Sequence, residues 1–147
     1  MLVRFTVENF MSFKERTEFN MLIGTPKRHK HHITNAGGVP LVRAAAIYGA
    51  NGSGKSNLVK AMDLFWGYVN PSNKSITLTN LPIHFLLDDS CKDKPTVVSA
   101  ELALNDRFFE FTISIMNRIV QKEELVEIFP SDDERRELIY TRTTLSN

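Results

Sequence analysis

The residues best equipped for chemistry lie between Gly49 and Asn57, where the chain reads GANGSGKSN with the spacing G-x-x-x-x-G-K-S. Gly49, Gly52 and Gly54 let the backbone take conformations that a Cβ resists, so successive amide N–H groups can turn toward one anion. A helix starting just after them would add unsatisfied amides and the positive end of its dipole. Lys55 is then placed to reach the β and γ phosphates of a nucleotide, and the Ser56 hydroxyl to ligate Mg²⁺. Each part alone is common, and a chance glycine-rich turn is the competing reading. A strand, this loop and an amphipathic helix in that order are specific for gripping a phosphate chain.

Those residues need elements that deliver them. The run LVRAAAIYG is short, apolar and ends in glycine, the pattern of a buried central strand feeding a loop. Beyond the loop, Leu58, Ala61, Met62, Phe65, Trp66 and Val69 fall at helical spacing on one face. They predict a helix from about Gly54 to Val69, stopped by Asn70, Pro71 and Ser72. At the start, Val3, Phe5 and Val7 alternate with polar residues, as do Thr17, Phe19, Met21 and Ile23, so residues 2–23 read as a hairpin. The stretch GTPKRHKHHITNAGG, from Gly24 to about Val39, reads as a polar loop. Further on, Val98, Ala100, Leu102 and Leu104 share a face, ND turns the chain, and Phe109, Phe111, Ile113 and Ile115 share a face again. RIVQKEELVEIF and ELIYTRT add two strands to this meander.

With 147 residues, 42% hydrophobic and 10% aromatic, the chain can bury the core of one domain. Eighteen basic and seventeen acidic residues leave a formal charge of +1, so no global field announces a nucleic-acid or membrane partner, and any such contact would be local. The single Cys91 excludes an internal disulfide framework and a multi-cysteine zinc site, and DDSCKDK around it reads as an exposed loop. No apolar run approaches the ~20 residues of a membrane span, and MLVRFTVENF alternates instead of forming a signal-peptide core. The expectation is a cytoplasmic protein.

Asn51 and Asn57 narrow the class. The loop GANGSGKSN resembles that of the ABC-type ATPases of the SMC, RecF and OLD branches, and VRFTVENFMSFKE resembles the strand and turn that precede the loop in those proteins. More narrowly, the chain is similar to the N-terminal part of bacterial ATPases related to restriction-associated and abortive-infection proteins. NFMSFKE, AAAIYGANGSGKSNLVKAM, LPIHFLLDD, KPTVVSAELALNDRFFEFTISI and IVQKEEL carry that likeness. The resemblance implies an α/β fold: a P-loop NTPase lobe with a mixed central sheet, one long P-loop helix and an antiparallel β-meander. It implies ATP and Mg²⁺ as ligands, held by Gly49, Asn51, Gly52, Ser53, Gly54, Lys55, Ser56 and Asn57, with Lys55 as the catalytic cation and Ser56 on the metal. ATP over GTP rests on the resemblance, because no N-K-x-D guanine-reading motif is present.

The same resemblance implies that residues 1–147 form the N-terminal lobe of a larger ATPase domain. Its acidic (Walker B) and signature motifs would come from a C-terminal part, and hydrolysis from a homodimer or a second ATPase lobe. The rival readings are a non-hydrolysing nucleotide-binding subunit that controls a partner nuclease, and a small P-loop kinase, although no arginine-rich lid is evident. One departure is Met11, which stands where relatives carry a basic residue; Lys14 or Arg16 could substitute.

Other features have plainer explanations. FLLDD imitates an acidic motif, with Asp88 toward Mg²⁺ and Asp89 as base, yet Pro82 and His84 just before it disfavour a central strand. His29, His31 and His32 sit among Lys27, Arg28 and Lys30, where a cation is repelled; a solvated loop is the favoured reading, and contact with phosphates of a nucleotide or nucleic acid the alternative. Phe108, Phe109 and Phe111 read as core rather than a base-stacking platform. KEELVEIFPSDDERRE reads as a solvated hairpin edge and turn.

Overall fold

The computed structural model describes residues 1–23, 30–70, 83–133 and 135–144. Along them run β1 (Leu2–Glu8), β2 (Thr17–Asn20), β3 (Ile33–Ala36), β4 (Val39–Val42), α1 (Lys55–Val69), β5 (Thr96–Leu104), β6 (Arg107–Met116), β7 (Ile119–Phe129) and β8 (Arg135–Thr143). Six strands form one sheet in the order β2-β1-β5-β6-β7-β8, while β3 and β4 form a separate hairpin. Every pairing between these strands is antiparallel. The expected hairpin at residues 2–23 and the four-stranded meander are therefore present.

Local chemistry accounts for the meander. The β5–β6 turn places Asn105 and Asp106 at φ 51° and 61°, and the β6–β7 turn places Asn117 and Arg118 at 51° and 63°. Two-residue turns with both φ values positive match the twist of the flanking strands, and Asn and Asp tolerate that region. Alternation then separates two faces. On one, α1 lays Leu58, Ala61, Leu64 and Phe65 over Phe5, Val7, Val98, Ala100, Ile113 and Ile115. The Phe65 ring meets Phe5 and Phe111 edge-on, each at a centroid distance of 6.0 Å. The other face carries a smaller core of Val3, Leu41, Ala103, Phe108 and Ile128, which β4 helps to cover.

Several expectations need correction. The sheet is antiparallel, not mixed, because the run ahead of the glycine loop does not join it. Leu41 and Val42 end β4, whereas Ala44–Ala50 form no strand and are exposed. A buried strand needs neighbours on both sides, and among the described residues nothing pairs with this segment. The helix begins and ends where expected, but at 15 residues it makes about four turns and is not long. Its buried face takes in Leu64, which the spacing left out, and leaves Trp66 and Val69 at 38% and 44% exposure. Val3 belongs to the smaller core although Phe5 and Val7 belong to the larger one, because a bulge between Leu2 and Arg4 shifts the register there. The expected polar loop contains β3, which turns at Gly37 and Gly38, both with positive φ, to pair with β4 where the loop was expected to end. Cys91 is buried at 2% exposure, not surface-exposed, because a 3-10 turn at Asp89–Cys91 folds the thiol inward.

Candidate functional site

Residues 49–57 form the turn that leads from the exposed segment into α1. Gly52 and Gly54 stand at φ 83° and 91°, where a side chain would be strained. Gly54 is also the residue before the helix: no side chain caps it, and the first turn of α1 contains no acid. An uncapped helix start of this kind keeps backbone donors and the positive dipole end open to an anion. The Asn57 and Leu58 amides both bond to Gly54 O, at 2.9 and 3.0 Å. Asn51, Gly52, Ser53, Gly54, Lys55, Ser56 and Asn57 line a depression of about 250 Å³.

Lys55 folds back over this depression. Its Nζ donates to Gly49 O at 2.8 Å, Ala50 O at 2.7 Å and Ser53 Oγ at 3.3 Å. The loop is thus wrapped around its own cation, in a size and charge that suit a phosphate group. Ser56 is exposed in the first turn of α1, as a metal ligand shared with a phosphate would need to be. The donor set of amides, ammonium and hydroxyl fits a nucleotide phosphate chain with Mg²⁺. Among the described residues no group of three or more His, Cys, Asp or Glu side chains could hold a metal ion alone.

The turn NFMSF supports this loop from the sheet. Asn9, at φ 48° and buried, donates from Nδ2 to Cys91 O and Lys94 O at 2.9 Å each, while its Oδ1 accepts from Phe85 N at 2.9 Å. Thr96 Oγ1 donates to Asn9 O at 2.6 Å. Met11 bonds through its backbone to His84 O and Leu86 N, at 2.9 and 3.0 Å. Ser12 Oγ then accepts from Asn57 Nδ2 at 3.1 Å. The side chain of Asn57 is therefore engaged by the turn. Neither Asn9 nor Ser12 is marked by spacing or by charge, since each acts through a residue more than forty positions away.

The substitutes for a basic residue at position 11 are engaged elsewhere. Lys14 Nζ lies 2.8 Å from Asp88 Oδ2, and Arg16 lies 3.9 Å from Glu110 on the opposite face of the sheet. The Asp88 carboxyl is held well below the usual carboxylate range, first by its hydrogen bond with Lys14 and then by Ser90. Asp89 is lowered by Lys92, 2.6 Å away. Leu87 beside them is 87% exposed, so FLLDD is not the buried strand that an acidic motif needs. His31 and His32 are exposed, with ring centroids 4.1 Å apart, and His29 lies outside the described residues. Phe108 is core, as expected. The acidic stretch is less solvated than expected, since Glu123 is buried against Tyr68, Tyr140 and Arg142.

Two other depressions are weaker candidates. A polar basin of about 260 Å³ holds Arg16, Arg136, Glu8, Glu110 and Glu124, and both arginines are engaged by Glu110. An apolar groove of about 400 Å³ between Phe65, Val69, Leu104 and Phe109 offers no donor or acceptor for chemistry.

A protein-family model described as "AAA domain, putative AbiEii toxin, Type IV TA system" matches residues 44–146, which include the glycine loop, α1 and the meander. No curated protein matched the chain.

Proposed function

The chain belongs to this AAA-domain family, and we propose that residues 49–57 bind ATP with Mg²⁺ in the N-terminal lobe of an ABC-type ATPase. Its biology would lie in DNA-linked bacterial defence or repair, and the family description favours defence of the abortive-infection kind. The observation that carries this reading is the closure of Lys55 over an uncapped helix start with no acid in its first turn. Gly49, Asn51, Gly52, Ser53 and Gly54 would present amides to the phosphates, with Lys55 on the β and γ groups and Ser56 on the metal. Asn57 would act from the first turn beside them. Bound Mg²⁺ would neutralise charge developing on the transferred phosphoryl group.

Turnover would require more than this lobe. The Ala44–Tyr48 run is apolar and unpaired, with Tyr48 88% exposed, which suits a strand completed by neighbours from a further lobe. A C-terminal part would supply those neighbours and the acidic and signature motifs, and a homodimer or second ATPase lobe would complete the hydrolytic site. A second reading is a nucleotide-binding subunit that does not hydrolyse and instead controls a partner nuclease. It is favoured by the commitment of Asp88 and Asp89 to Lys14 and Lys92.

Calorimetric titration with ATP·Mg²⁺ tests the binding. Lys55→Ala removes charge-assisted hydrogen bonds and is expected to weaken affinity roughly tenfold to hundredfold; equal affinity in both proteins would refute the site. Hydrolysis that rises faster than linearly with protein concentration and vanishes in Lys55→Ala supports the dimeric ATPase. Tight binding with no turnover at any concentration supports the subunit.

A further inference from the structure

The geometry points to Ser12 as a positioning residue for the nucleotide loop, a role that rests on the ATP-binding reading above. Two independent contacts put it there. Its Oγ accepts the hydrogen bond from Asn57 Nδ2 at 3.1 Å. It is also the nearest atom, at 2.9 Å, to where a Cβ on Gly54 would stand, with the Phe13 ring next at 3.6 Å. The turn therefore touches the loop at the residue whose conformation starts the helix, and also one turn further on.

Ser12 is held firmly enough to transmit position. Phe10 and Phe13 exchange backbone hydrogen bonds of 2.8 and 2.7 Å, and Phe10 is fully buried. Met11, between Phe10 and Ser12, bonds in both directions to residues 84 and 86, and Asn9 N bonds to Lys14 O at 3.2 Å. Among the described residues the loop has no comparable support, since residues 44–53 are exposed and Lys55 bonds to Gly49, Ala50 and Ser53 within the loop. Among the described residues, the bond between Ser12 and Asn57 is the side-chain hydrogen bond joining residues 49–57 to the rest of the chain.

Binding at a backbone nest depends on amides being aimed before the ligand arrives, because each disordered conformer raises the entropy lost on binding. Ser12 supplies that aim without touching the nucleotide. It restrains Asn57 in the first turn and fills the space behind Gly54, where a Cβ would stand only 2.9 Å from its Oγ. Losing the hydroxyl leaves the sheet intact and lets the loop sample conformers in which the Lys55 and Ser56 amides diverge.

The test measures ATP·Mg²⁺ affinity and nucleotide-free melting temperature for the whole chain as wild type, Ser12→Ala, Ser12→Thr, Asn57→Ala, Ser12→Ala/Asn57→Ala and Lys55→Ala. Removing one hydrogen bond of preorganisation is expected to weaken binding about threefold to tenfold in Ser12→Ala. The melting temperature should be unchanged, Ser12→Thr should restore affinity, and the double variant should be no worse than Asn57→Ala alone. Wild-type affinity in Ser12→Ala, beside loss in Lys55→Ala, overturns the role of Ser12 and leaves the nucleotide site standing. A loss in Ser12→Ala that tracks a lowered melting temperature also overturns it. Equal affinity in wild type and Lys55→Ala removes the nucleotide site, and the role of Ser12 with it.

Discussion

The β5–β7 meander and the glycine loop use their backbone groups in opposite ways. Across β5, β6 and β7 the amides and carbonyls are spent on neighbouring strands, and Val98, Ala100, Ile113 and Ile115 are buried beneath α1. Around residues 49–57 the Ser53 and Asn57 amides close local turns while the helix start stays uncapped, and the conformation is kept by two left-handed glycines, the Lys55 ammonium and the contact with Ser12. The first region gains its order from burial and gives it to the second through α1 and the turn at Asn9–Phe13. Stability and the grip on phosphate should therefore fail separately when each is attacked on its own ground.

The largest expected effect breaks the scaffold. Phe65 is buried between Phe5 and Phe111, so Phe65→Ala should cost about 3–5 kcal/mol by cavity formation, read by urea denaturation. A loss below about 1 kcal/mol would mean that α1 does not depend on this contact. Asn9→Ala should cost less, about 1–3 kcal/mol, because it removes a donor to the Cys91 and Lys94 carbonyls and leaves Phe85 N without its acceptor. Hydrogen exchange should speed up in residues 83–95 and stay slow in β6 and β7. Uniform acceleration would show that Asn9 supports the whole sheet.

The smallest effect sharpens the electrostatics beside the turn. Asp88 is lowered in the folded chain, chiefly by Lys14, so the pair stabilises fully above the ordinary carboxylate value of about 3.9. That contribution is lost as pH falls through the lower folded value. Lys14 is raised by the same partner, so its contribution is present below about pH 10 and fades above it. Lys14 is exposed and Asp88 partly so, so the effect should be screened by salt. Lys14→Met should flatten the acid limb of a plot of stability against pH at low salt, and an unchanged limb would remove the pair from the account.

Much of the scaffold was legible because it is written locally. The alternation at Val98–Leu104 and Phe109–Ile115, with ND between, predicts the meander, and GxxxxGKS predicts where α1 starts. Failures came where a distant partner decides the outcome. An apolar run such as AAAIY reads as a strand whether or not neighbours pair with it. Cys91 lies among polar residues, yet Asn9 and a short turn draw it inward. The Gly37–Gly38 turn of the β3–β4 hairpin is readable, since two glycines between ITNA and VPLV are a hairpin signal, but Gly24, Pro26 and the polar run after them make residues 24–38 read as loop. Within the site, Lys55 and Ser56 stand out by type, while Ser12 becomes visible only once the chain has folded.

The most direct test of a separable scaffold and grip is thermal melting of wild type and Lys55→Ala, each with and without saturating ATP·Mg²⁺. The account predicts the same melting temperature for both without nucleotide, and a rise with nucleotide in wild type alone. An equal rise in both proteins, or a Lys55→Ala chain that melts early without nucleotide, would contradict it.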